Sequence, residues 1–349
     1  MSRAALAPAP LWPLWGGLVA ALLTVALATA EPAAAARGWL VAFFFWSSAP
    51  LGALALALIQ MLTGGRWAEA ISPTIRIGLA AVPILLFFFL ILLIGLHALY
   101  PWAQSTSAAA PDVASLYLTA PSFIARDLIA LIGCAIIALF LLGNRLSLLG
   151  AALGLLFYGL TIFFLPIDWA LSLDPRFTNS SFGATMATQH LMTALALATM
   201  IQPARAIERA NGDLGALLFA VSLGALYLGL MTFIVKWYGD QPDDAAWYLV
   251  RAQGVGLVLL VGAIALGAIV PIVGLAWERA RASPTVLRWI GGSTLVGIAL
   301  HNFWLIAPQG PWLAAAVAVS ALAAMAGLSV GVAPFIDRRV GARAAARSA

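Results

Sequence analysis

The chain has 349 residues, of which 18 are Lys or Arg and 13 are Asp or Glu, so 9% are charged against 63% apolar. Soluble domains carry roughly 25% charged and at most about half apolar residues, so this composition cannot wrap one core in a wetted surface, and lipid is the solvent for most of it. The single Cys134 excludes a disulfide framework, a zinc ribbon and an iron–sulfur cluster held by this chain alone, and the net charge of +5, which in a soluble protein would suggest nucleic acid, reads here as a topology marker.

A helix needs about 20 apolar residues to cross the hydrocarbon layer. Ten such stretches follow one another, at 11–30, 39–62, 77–99, 128–142, 146–166, 181–202, 214–235, 252–275, 286–306 and 312–336. The expected fold is therefore all-α and polytopic, a single transmembrane domain over 1–349. The first stretch, ending in Ala28-Thr29-Ala30, resembles a signal peptide, but its apolar run exceeds the roughly 7–15 residues of one, so it is expected to be retained. The fourth stretch is short and is extended toward Ile124, which brings Arg126 and Asp127 just inside one interface. Possible halves at 39–166 and 181–306 would leave 11–30 and 312–336 peripheral, although no convincing repeat relates them. The connection from Tyr100 to Ser122 is Ser/Ala/Pro-rich, and the Ala/Arg tail after Arg338 is expected to be flexible.

Charge alternates along the chain. One side collects 13 of the 18 basic residues, among them Arg3, Arg66, Arg76, Arg205, Arg209, Arg343 and Arg347, while the other holds Arg37, Arg126, Arg176, Lys236 and Arg251. By the positive-inside rule both termini are expected in the cytoplasm.

An ionisable side chain inside a bilayer costs a few kcal/mol or more unless it faces a cavity or a partner, so each is a functional candidate. His97 and His301 fall roughly 5 and 8 Å below the outer interface at about 1.5 Å per residue. His190 falls near mid-membrane beside a polar stripe of Thr185, Gln189 and Thr193 at i, i+4, i+8. Only His97 with His301 match in depth for a bis-imidazole haem, and hydrogen bonding near the headgroups is the simpler reading of both. Cys134 reads as a small core residue.

The outer side gathers acids and aromatics in Asp168-Trp169-Ala170-Leu171-Ser172-Leu173-Asp174-Pro175 and in Lys236-Trp237-Tyr238-Gly239-Asp240-Gln241-Pro242-Asp243-Asp244-Ala245-Ala246-Trp247-Tyr248. Interfacial anchoring by Trp and Tyr, with turn and N-cap chemistry from the acids, accounts for much of both. It leaves Arg126 and Asp127 at the same level unexplained, and opposed charges at membrane depth imply pairing. A cluster of Asp127, Arg126, Asp168 and Arg251 could exchange protons with the outer water or a bound quinol.

Several stretches, in order, resemble the F-type membrane subunit of alternative complex III, the quinone-binding subunit 2 of a quinol:cytochrome c oxidoreductase. They are Leu62-Thr63-Gly64-Gly65-Arg66-Trp67, Gly95-Leu96-His97-Ala98-Leu99-Tyr100-Pro101-Trp102, Tyr117-Leu118 with Phe123 and Arg126, Ser172-Leu173-Asp174-Pro175, Trp237-Tyr238-Gly239 through Trp247-Tyr248-Leu249-Val250-Arg251, and His301-Asn302-Phe303-Trp304-Leu305-Ile306. The resemblance implies a polysulfide-reductase-like anchor of ten helices, two four-helix bundles flanked by peripheral helices, in a bacterial inner membrane. It further implies a sister membrane anchor subunit and partners carrying multihaem c-type cytochrome and iron–sulfur centres. No redox cofactor and no metal would belong to this chain, with quinone or quinol possible at a shared interface.

On this reading no residue is catalytic, and a proton path or quinone site would draw on His97, Arg126, Asp127, Asp168, Asp174, Gln189, His190, Arg251 and His301. The path would run past Gln60 and His190 toward Asp168 and Asp174. Two other classes stand beside it: a secondary transporter, suggested by Pro271 and Gly274 within one span and Gly291-Gly292 in the next, and a membrane anchor or assembly factor for a periplasmic cytochrome.

Overall fold

The computed structural model describes residues 11–65, 67, 71–104, 112–201, 208–239 and 242–345. Among them the chain is helical, with no strand. The principal helices are α1 (Trp12–Ala28), α2 (Pro32–Thr63), α3 (Ser72–Ile94), α4 (Ala120–Leu142), α5 (Leu148–Trp169), α6 (Phe182–Ile201), α7 (Glu208–Tyr238), the short α8 (Pro242–Arg251), α9 (Gly254–Gly274), α10 (Pro284–Ile306) and α11 (Trp312–Ala345). Eight of these are long and apolar enough to cross a membrane; α1 is shorter, and the more polar α6 is not among the eight. The protein is an all-α, multi-pass integral membrane protein. Of the sequence features singled out above, Arg3, Arg66, Arg205, Arg347, Asp240 and Gln241 lie outside the described residues, as do the side chains of Arg209 and Arg343.

Helix ends depart from the apolar stretches where local chemistry extends or cuts a helix. α2 begins at Pro32, ahead of residue 39, because proline at the first helical position needs no amide partner. α4 begins at Ala120, a turn before Ile124: the Thr119 hydroxyl caps it by accepting from the Ser122 amide at 3.4 Å. α3 stops at Ile94 and does not reach residue 99, so His97 sits in a separate helical turn, Leu96–Leu99. The apolar run at 252–275 is preceded by α8 and interrupted by a π-helical turn, Ala265–Ile269, just before Pro271. The tail expected to be flexible instead continues α11 to Ala345, in keeping with the high helix propensity of Ala and Arg.

Helices α2, α3, α4 and α5 each pack on the next and close back on α2, forming one four-helix ring; α6, α7, α9 and α10 form a second. α2 and α6 are the seam between them, and α11 lies across α2 and α3 with α1 outside it. In lipid there is no hydrophobic drive to pair apolar helices, so close packing of small residues and hydrogen bonds must do it. α2 is the most buried span, with 89% of its central stretch inside the protein, against 11% for α7. At the seam a Cβ on Gly52 would overlap the His190 carbonyl oxygen, so only glycine permits this crossing. Gly327 and Gly331, four apart on α11, admit the backbone of α1 in the same way.

Polar contacts add direction to this packing. Thr24 of α1 donates to Ser320 at 3.0 Å and Trp46 of α2 donates through Nε1 to Ser329 at 3.0 Å, both on α11. Arg76, which the charge pattern treats as a surface topology marker, is only 4% exposed and forms an ion pair with Asp337 of α11, itself fully buried. That pair ties α3 to α11 at the end opposite the Arg126 cluster.

Candidate functional site

The antiparallel hairpin of α4 and α5 brings the start of one helix beside the end of the other. Arg126, in the second turn of α4, forks onto Asp168, in the last turn of α5: Nε lies 3.0 Å from Oδ2 and Nη2 2.9 Å from Oδ1. The remaining donor, Nη1, reaches the Tyr117 carbonyl at 3.0 Å and the Ser122 hydroxyl at 2.5 Å. The planar guanidinium thus satisfies two carboxylate oxygens, a carbonyl and a hydroxyl together, a geometry that a lysine ammonium could not reproduce. The Tyr117 ring covers the guanidinium carbon at 3.7 Å, a cation–π contact that leaves little of the charge to solvent.

Asp127, next in sequence to Arg126, is fully buried and points elsewhere. Its Oδ2 accepts from Trp169 Nε1 at 2.8 Å, while Oδ1 meets no donor among the described residues. The Asp168 carboxyl is its neighbour. Two carboxyls can hydrogen-bond to each other only when one carries a proton, and a single guanidinium can neutralise only one of them. Trp169 is held in place by Phe43, with ring centroids 4.7 Å apart, and by Tyr100, whose hydroxyl donates to the Trp169 carbonyl at 3.1 Å. Tyr100, Trp102 and Phe123 pack on one another, with ring centroids 5.2 to 5.4 Å apart. Burial and the charges of Asp127 and Asp168 push the Tyr100 phenol well above its ordinary range, so it stays a neutral donor.

Arg251 belongs to a different group, at the same end of the second ring. It lies 3.8 Å over the Trp247 ring, and the Asp174 carboxylate acts on its charge. Burial lowers its guanidinium to about 10, opposed by Asp174. Trp247 stacks on Phe177 at 4.0 Å, and Trp304 Nε1 donates to the Arg251 carbonyl at 3.1 Å. Lys236 ties α7 to α8 through Asp244 at 2.8 Å and reaches Thr178 at 3.0 Å. His301 stacks on Trp304 with centroids 5.8 Å apart, and Asp174 meets Arg176 at 3.5 Å at the exposed rim. His97 is exposed on the first ring, its Nδ1 3.1 Å from the Ala103 carbonyl oxygen. His97 and His301 therefore belong to different rings.

Deep in the helix packing, His190 of α6 meets Tyr158 of α5, Nδ1 to hydroxyl 3.1 Å, and Gln189 Nε2 approaches Ser48 of α2 at 3.4 Å. Thr193 turns inward and donates to the Gln189 carbonyl at 2.7 Å, whereas Thr185 bonds the Ser181 carbonyl at 3.2 Å. His190 lies near the level of Tyr158, ten positions before Asp168 on α5, which is about 15 Å along a helix. Gln60 is half-buried toward the far end of α2. Tyr158→Phe, which strands His190 Nδ1 in the interior, is expected to cost about 1 kcal/mol in a detergent melt; an unchanged melting point would show that this pair bears no weight.

Sequence reasoning missed Trp169 and Tyr117 as partners of the charged groups and Tyr158 as the partner of His190. Trp169 and Tyr158 carry no distinctive local signal, since an aromatic residue near the end of a span or inside it is ordinary. Tyr117 could have been suspected from its place nine positions before Arg126 in a turn that must fold back over α4. Among the described residues no three metal-ligating side chains converge.

Fold and site together define a polytopic α-helical membrane protein that buries a carboxyl pair and its guanidinium at one end of a four-helix ring. A scan of family models finds no match for this chain, and comparison with curated proteins finds none either.

Proposed function

We propose that the chain is the F-type membrane subunit of a quinol-oxidising complex of the alternative complex III type, without a redox centre of its own, conducting protons or completing a quinone site. The observation that carries this reading is the Asp127–Asp168 pair: two buried carboxyls, one guanidinium, and a carboxyl oxygen facing no donor among the described residues. Such a group passes between two charge states by gaining or losing one proton, which is what a relay at a membrane surface requires. Quinol oxidation releases both hydroxyl protons as its electrons leave for a haem or iron–sulfur partner, and an outward-facing carboxyl pair offers them an exit. The distribution of basic residues supports cytoplasmic termini, in a bacterial inner membrane, with the pair near the outer surface. The sister anchor, the multihaem cytochrome and the iron–sulfur subunits would bind alongside.

Native purification tests the assembly: the chain should co-purify with haem c and iron–sulfur subunits and contribute no visible absorbance itself. Isolation as a lone protein that drives substrate uptake into vesicles would replace this reading with a transporter. Asp127→Asn tests the relay. The amide oxygen can still accept from Trp169 but the side chain cannot carry a proton, so the complex should assemble with fewer protons released outward per electron. Unchanged stoichiometry would remove Asp127 from the path.

A further inference from the structure

The turn that precedes α4, Val113–Tyr117, lies against an ion pair whose carboxylate is fully buried. Its exposed residues include Leu116, 77% accessible, while Tyr117 folds back beneath it. Three features of Tyr117 converge on the pair. The ring lies 3.7 Å over the Arg126 guanidinium, the carbonyl accepts from Arg126 Nη1 at 3.0 Å, and the hydroxyl sits beside the Asp168 carboxylate. Arg126 retains 19% exposure and Asp168 none, so the guanidinium is the member of the ion pair that its surroundings leave accessible. Burial and the Asp168 charge push the Tyr117 phenol above its ordinary range, which keeps it a neutral cover over a charged pair.

We propose that Tyr117 is a positioning residue that clamps Arg126 onto Asp168 and so controls the access of outer water to the Asp127–Asp168 pair. With the clamp closed, the guanidinium is held in its bidentate geometry and the carboxyls are dry. When the turn lifts, Arg126 loses a ring and a carbonyl together, and Asp168 becomes reachable from the aqueous side. The functional weight of this rests on reading the cluster as a proton relay; the clamp itself is a property of this chain and is measurable without partners or quinol.

The test is labelling of the full-length protein in detergent with a water-soluble carbodiimide and an amine, followed by peptide mapping. Exposed Asp112 is the positive reference, and Asp337, buried at the opposite end, reports global opening. In the native chain Asp168 should stay near background. Tyr117→Ala should raise its labelling by at least roughly tenfold, equivalent to about 1.4 kcal/mol in the opening equilibrium, with Asp337 unchanged. Tyr117→Phe, which keeps the π-face and the carbonyl, should stay within about threefold of the native chain, under about 0.7 kcal/mol. Should Tyr117→Ala label Asp337 as well, Tyr117→Leu, which keeps apolar bulk without the π-face, decides by the same criterion. Asp168 remaining at background without the aromatic ring, or labelling equally in the Phe and Ala variants, overturns the clamp. Because labelling is read on the isolated chain and assembly by co-purification, either idea can fail while the other stands.

Discussion

Asp337→Leu is expected to destabilise the protein by about 3–5 kcal/mol, the usual cost of stranding one member of a buried ion pair. Arg76 is 4% exposed; its Nε and Nη1 already lack partners among the described residues, and Asp337 holds Nη2. Removing the carboxylate leaves a guanidinium inside the packing of α3 against α11 with no other acid among the described residues paired with it. The double variant Arg76→Met/Asp337→Leu should recover most of the loss, because two packed apolar side chains carry no desolvation penalty. Unfolding in mixed micelles, analysed as a double-mutant cycle, measures both. A single-variant cost below about 1 kcal/mol, the scale of a solvent-exposed pair, would mean that Arg76 escapes along its stem to the aqueous surface and that the pair does not hold α11 in place.

Gly52→Ala should be the most damaging one-carbon change in the seam. The added Cβ would overlap the backbone carbonyl of His190, and a backbone atom cannot be moved aside by changing a rotamer. α2 and α6 must separate, at a cost of at least about 1–3 kcal/mol, and the shift carries His190 away from Tyr158. Gly159→Ala, on α5, is the matched control: nothing lies within 4 Å of its added Cβ. There the gain in helix propensity should leave the protein unchanged or more stable by roughly 0.5–1 kcal/mol. Thermal melts of the two variants in one detergent compare them directly. Equal stability for both would contradict the close crossing of α2 and α6.

The charged groups illustrate how far pattern reading extends. Depth along a helix follows from counting, so Arg126, Asp127 and Asp168 can be placed at one level from the sequence alone. Rotation about the helix decides partners, and it sends adjacent residues to different fates: Arg126 to Asp168 and Asp127 to Trp169. Arg251, expected in the same cluster, sits instead on Trp247 in the second ring because α8 forms a separate short helix before α9. Arg76 was legible as a positive charge at a helix start, but its burial was not, because Asp337 lies 261 residues away and only the fold of α11 across α3 joins them.

Composition and apolar run length by themselves determined that this is an all-α protein living in lipid, and roughly where its helices lie, because a bilayer core allows few other ways to satisfy the backbone. Tertiary structure alone decided that α2 and α6 form the seam, that α11 closes over α3, and which acid takes which guanidinium. Apolar side chains are nearly equivalent toward lipid and toward one another, so hydropathy does not encode which faces meet; sparse glycines, hydroxyls and ion pairs do, and their partners are distant in sequence.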